Sequence, residues 1–122
     1  MGKPVKFWGS SQRDVTAFPE NAKRIAGHEL YLVQQGLDPT DWKAVATVGA
    51  GVYEIRVRDE ESRGIFRIMY VAKFEDAIHV LHCFQKKTKA TAQTDIDLAK
   101  ERYSDVVAYV QAERAAMRKE KK

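Results

Sequence analysis

The sequence predicts an α+β domain with the order β-α-α-β-β-β-α. An antiparallel sheet would be packed by an N-terminal helical hairpin and a C-terminal helix. Two stretches, Pro19 to Gln35 and the residues after Thr94, repeat apolar side chains at helical spacing. From Val52 onward the period drops to two. Three such runs follow one another with only short polar links, which is the pattern of an antiparallel meander. At 122 residues the chain is expected to form one domain, residues 1–122, able to bury a core without staples.

Pro4 to Trp8 (PVKFW) is short, aromatic and β-branched, so it reads as the first strand. Gly9-Ser10-Ser11 ends it, and either serine can cap a short helix through Ala17. Pro19 then opens a second helix in its first turn, where a missing N–H costs nothing. Ala22, Ile25, Ala26, Leu30, Val33 and Leu37 form its apolar stripe, with Lys23, Arg24 and Glu29 off it. Gly36 suits the C′ position. LDPTDWKAVATVGAG is expected to be a connecting loop, punctuated by Pro39, Gly49 and Gly51.

In Val52–Arg58, Tyr53, Ile55 and Val57 face one way while Glu54, Arg56 and Arg58 face the other. IFRIMYVAKF is the next strand, with Phe66, Ile68 and Tyr70 opposite Arg67, and IHVLHCF is the third. Thr94 can cap the last helix, and Asp95 and Asp97 suit its first turn. Ile96, Ala99, Tyr103, Val106, Val107 and Val110 form the apolar stripe, and the helix is expected to fray into RKEKK. The helical hairpin covers one sheet face; the other need not be fully covered.

The formal charge is +4 and the pI about 9.2, which favours an anionic partner such as nucleic acid. Almost all of the excess lies after Gln85, where 10 Lys/Arg accompany 6 Asp/Glu. The single cysteine, Cys83, excludes an internal disulfide and reads as a small core residue. The start, MGKPVKFWGSSQRD, has charges where a signal peptide has an apolar region, and Lys6 spoils a myristoylation pattern. No apolar run approaches transmembrane length. These features lead to the expectation of a soluble cytoplasmic protein.

Several chemistries find no signature here. There is no P-loop, and Gly49-Ala50-Gly51 opens a strand instead of a helix, so no dinucleotide fingerprint is present. His79 and His82, three apart on one strand, should point to opposite faces and share no metal simply. What remains is a set of cations. Arg56 and Arg58 share a strand face, and hairpin pairing can bring Arg67 beside them. Such like charges need compensation, from Glu54 within the chain or from a bound phosphate. Lys86, Lys87 and Lys89 then leave the end of the third strand. Guanidinium groups grip phosphate oxygens in pairs, and lysines supply mobile point charges. Without a ligand, the same residues would form a salt-bridged strand face and a solvated loop.

The segments GVYEIRVRD, GIFRIMYVAKF and IHVLHCFQKKTKATAQTDIDLAKERY, in that order, resemble the RelE/ParE toxin superfamily. The similarity is to its phage-derived HigB-like branch. GSSQRDVTAFP and AGHELYLVQQGLDPTDWK look like the same branch, so the resemblance spans nearly the whole chain. It implies the compact RelE-like fold and the toxin of a type II toxin–antitoxin pair. Such a toxin is an mRNA interferase, a metal-independent endoribonuclease that inhibits translation on the ribosome. It also implies a cognate antitoxin, often a helix-turn-helix protein.

Arg67 in FRIMY matches the strand arginine that contacts the scissile phosphate, and Arg56 matches a basic position on the preceding strand. Lys86 and Lys87 in QKKT match the basic pair at the sheet edge, and His82 a histidine common in this branch. The resemblance thus makes Arg67, Arg56, Lys87 and His82 catalytic candidates. Lys86, Thr88, Lys89 and Arg58 are RNA-binding candidates. No metal or cofactor is implied. Tyr70 matches a family tyrosine, but its strand face makes it core.

Two positions depart from the pattern. Ala92 stands where the branch has proline, and the tyrosine that some relatives carry before the last helix is missing, so the general base is unassigned. ParE-type relatives share the fold and poison a protein target without cleaving RNA, which is the alternative reading. A decayed toxin that only binds nucleic acid or a partner is the other.

Overall fold

A computed structural model describes residues 2–120. The elements in chain order are β1 (Val5–Phe7), α1 (Ser11–Thr16), α2 (Glu20–Gln34), β2 (Trp42–Ala44), β3 (Val52–Arg58), β4 (Ile65–Val71), β5 (Ile78–Lys86) and α3 (Gln93–Glu120). The strands form one five-stranded sheet in the order β1-β5-β4-β3-β2. β2 through β5 pair antiparallel, as the meander requires.

The sheet is mixed, not wholly antiparallel. β1 lies parallel to β5, with Val5 opposite Ile78 and Phe7 opposite Val80. A three-residue strand followed by helices has no local hairpin partner, so it takes the free edge of β5. The segment expected to be all loop also holds a strand: β2 pairs with β3, Trp42 opposite Ile55 and Ala44 opposite Tyr53. All three of its residues are exposed, so no burial pattern announced it.

Each sheet face has its own core. On one face α1 and α2 cover Ile55, Val57, Phe66, Ile68, Tyr70, Val80 and Cys83. Burying each such aliphatic side chain contributes about 1.5–3 kcal/mol. The α2 stripe supplies Ala22, Ala26, Leu30 and Val33, with Ile25 partly buried. Two residues differ from expectation. Leu37 is exposed, and Glu29 is buried because its Oε2 accepts the Thr40 N–H at 2.7 Å. Helix α2 ends where expected: Gly36 takes φ 79°, and the Leu37 N–H bonds the Leu32 carbonyl at 2.9 Å.

The opposite face is covered by α3, where Ala99, Val106 and Val110 pack on Val52, Met69, Val71 and Leu81. Gln93 and Thr94 lie inside α3, so Thr94 is not its cap. The helix also continues through Arg118, Lys119 and Glu120 instead of fraying; Lys121 and Lys122 lie outside the described residues. Arg102 ties α3 down by donating to the Leu81 carbonyl and to Ser10 Oγ. Gly9, at φ 56°, makes room for it: a Cβ there would stand 2.5 Å from the guanidinium.

A bulge in β5 changes the expected alternation. Met69 pairs with His82 but Tyr70 pairs with Val80, which leaves Leu81 extra. Leu81 and His82 therefore both face α3. His79 faces that layer too, against Trp8, Phe74 and Tyr109. The two histidines thus share a face, contrary to simple alternation, but they bond different carboxylates, Asp76 and Asp95.

Candidate functional site

Arg56 and Arg67 are direct cross-strand partners on β3 and β4. Two guanidinium groups in that register repel unless acids intervene. Two acids do. Glu54, only 1 % exposed, stands 3.1 Å from Arg67 Nη1, and Asp41 stands 3.6 Å from Arg56 Nε. Asp41 is held there by β2, because its carbonyl accepts the Arg56 N–H at 2.8 Å. Lys43 reaches Glu54 at 3.9 Å from the same strand. Glu54 was legible as a compensator; Asp41 and Lys43 were not, since the loop reading hid β2.

The pairing leaves donors unused. Arg67 is 2 % exposed, yet its Nε has no hydrogen-bond partner, and neither does Arg56 Nε. Burial pulls the Arg67 pKa below its ordinary value; Glu54 opposes that shift and Arg56 adds to it. Buried, unsatisfied guanidinium N–H groups are what an incoming anion would satisfy.

Above them opens a cleft of about 410 Å³, lined by Arg56, Ile65, Arg67, Lys86, Lys87, Thr88 and Lys89. The last residue of β5 and the loop after it place the three lysines. None of the three forms an ion pair among the described residues. The Lys86 pKa is lowered, first by desolvation and then by the charges of Arg67 and Lys43. The cleft therefore carries more positive charge than its two acids offset.

Six of the eight candidate residues line this cleft; His82 and Arg58 do not. Arg58 is exposed at the end of β3, opposite Ile65 and two residues beyond Arg56. His82 is 6 % exposed. Its Nε2 lies 2.7 Å from Asp95 Oδ1 of α3, its ring stacks on Phe84 with centroids 4.6 Å apart, and its Nδ1 has no partner. No sequence signal pointed to this contact, because it joins a strand to a helix across an irregular loop. Cys83 and Tyr70 belong to the hairpin-face core, where burial pushes both pKa values up to about 12. Among the described residues no three His, Cys, Asp or Glu side chains gather to hold a metal ion. Among the described residues no helix is long and apolar enough to cross a membrane.

Residues 13–104 match the family described as Phage derived protein Gp49-like (DUF891). The chain belongs to that Gp49-like family. The match runs from α1 into α3, so it takes in every residue lining the cleft. No match is found among curated proteins. The Gp49-like family belongs to the RelE/ParE-like toxin superfamily context, which is consistent with a toxin-like module and implies an antitoxin as the general kind of partner. In this Gp49-like chain the cleft collects its cations from three consecutive strands and one loop.

Proposed function

We propose that this chain is the toxin of a type II toxin–antitoxin pair, in the HigB-like branch, and that it cleaves mRNA on the translating ribosome in the cytoplasm. The observation that carries this reading is the Arg56–Arg67 cross-strand pair opening into a cleft edged by three lysines. A polyanion passing through that cleft would meet two guanidinium groups and three mobile ammonium groups.

RNA supplies its own nucleophile, the 2′-OH. Its attack on the adjacent phosphorus forms the 2′,3′-cyclic phosphate and breaks the bond to the 5′-oxygen. The enzyme has to stabilise the phosphorane charge, accept the hydroxyl proton and return a proton to the leaving oxygen. Arg67 takes the phosphorane charge, with Arg56 beside it. Lys87 and Lys86 hold flanking phosphates, and the lowered pKa of Lys86 suits it to give up a proton. Thr88 and Lys89 extend the phosphate track, and Arg58 lies further along the same strand face. His82 lies outside the cleft lining, held by Asp95 and stacked on Phe84, and is the alternative acid–base. No cofactor takes part. A helix-turn-helix antitoxin would neutralise the toxin.

The test is induction in cells of the wild type, Arg67→Ala and Lys86→Ala/Lys87→Ala, with growth followed and mRNA 5′ ends mapped. Wild type should arrest growth and create new 5′ ends; the variants should do neither while still binding antitoxin. Full toxicity of Arg67→Ala would remove Arg67 from the mechanism. Arrest with intact mRNA would point instead to a protein-poisoning toxin.

A further inference from the structure

A second recess, of about 160 Å³, adjoins the cleft and shares Lys86, Lys87 and Thr88 with it. Its other walls include Phe84, Thr91 and Asp95. The two hollows differ in chemistry. The cleft is built of cations, whereas the recess adds an aromatic ring and an acid. A phosphate would be repelled by Asp95 and would waste the contact with Phe84. A planar, neutral, hydrogen-bonding group fits both. We propose that this recess is a nucleobase subsite, in which Phe84 stacks on a base that bears an exocyclic amino group and Asp95 accepts from that group.

The proposal rests on the RNA reading of the neighbouring cleft and says which part of the strand enters where. A phosphate in the cleft and its base in the recess would share the same three residues, Lys86, Lys87 and Thr88. Unstacked bases of single-stranded RNA are held in this way, on aromatic faces with polar groups at their edges.

Phe84 is suited to be a platform because it is braced from behind. The His82 ring lies against it at 4.6 Å and 18°, close to parallel. His82 is itself held by Asp95 at 2.7 Å. The phenyl ring is half-buried, so part of its surface is left for an occupant. Asp95 gives one oxygen to His82, and its other oxygen takes no side-chain partner among the described residues. A carboxylate only accepts, so the base edge facing it must donate. Cytosine presents N4–H₂ at that edge, and carboxylates accept from it. Uracil, of the same shape, presents O4 there and is repelled.

The experiment is a binding titration with labelled five-residue oligonucleotides made with 2′-deoxy sugars, which cannot be cut. One contains cytosine, one uracil, and one abasic residues. The proteins are the wild type, Phe84→Leu, Phe84→Tyr, Asp95→Asn and Lys86→Ala/Lys87→Ala, each checked by thermal melting. Wild type should bind the cytosine strand most tightly. Phe84→Leu should weaken that binding about 5–150-fold, the equivalent of one stacked base. Phe84→Tyr should restore it, and Asp95→Asn should erase the preference for cytosine over uracil. The abasic strand should bind wild type and Phe84→Leu alike. If Phe84→Leu binds cytosine like wild type while the lysine variant is weakened, the subsite is wrong and the phosphate cleft stands. If wild type binds none of the strands, the RNA reading fails and takes the subsite with it.

Discussion

Glu54 and Arg67 are buried side by side on adjacent strands, 3.1 Å apart, at 1 % and 2 % exposure. The pair is close but not aligned as a hydrogen bond, since Glu54 Oε1 counts no donor. Removing Arg67 alone leaves a buried carboxylate whose remaining ion pair is to Lys43, at 3.9 Å. Arg67→Ala should therefore cost about 3–5 kcal/mol in urea unfolding. Glu54→Gln/Arg67→Ala should recover most of that loss while remaining non-toxic. An Arg67→Ala protein as stable as wild type would show that Glu54 does not depend on it.

The three lysines of the cleft should hold RNA through charge. Lys86→Ala/Lys87→Ala/Lys89→Ala should leave the thermal midpoint nearly unchanged, because these side chains sit on the rim. It should weaken single-stranded RNA binding and lower the slope of log affinity against log salt by about 2, at about 0.7 per phosphate contact. An unchanged slope would mean that the lysines touch no phosphate.

Cys83 should be chemically silent. Burial raises its thiol pKa to about 12, so almost no thiolate exists at neutral pH. A disulfide-exchange reagent at pH 8 should label it only after denaturant is added. Rapid labelling of the native protein would contradict its place under the helical hairpin.

Asp59 should make stability fall in acid. Its pKa is lowered by hydrogen bonds from Ser62 and Asn21, with backbone N–H groups of Glu61 and Ser62 adding to them. A carboxylate with a depressed folded pKa stabilises the fold above its unfolded value of about 3.9. That contribution is lost as pH falls through the folded value. Asp59→Asn should be less stable than wild type at pH 7, and the gap should close below pH 4. A gap independent of pH would mean that the turn needs the side chain's shape and not its charge.

Local pattern was enough for β3, β4, β5 and α2, because a period of two or of 3.6 is written in consecutive residues. The same alternation placed Arg56 and Arg67 on one face with Glu54, and the charge count placed a cationic loop after Gln85. Relationships between distant segments were a different matter. Strand β2 carries three exposed residues, so only its pairing with β3 reveals it, and with it the role of Asp41. The β5 bulge turned His82 toward α3, and no residue in IHVLHCF marks a bulge. Asp95 met the His82–Phe84 stack only when α3 closed over the sheet. The sequence by itself determined which faces are apolar and where the cations lie, because those follow from neighbours along the chain. Tertiary structure decided which of them meet, because strand register and helix docking depend on packing between residues the chain keeps far apart.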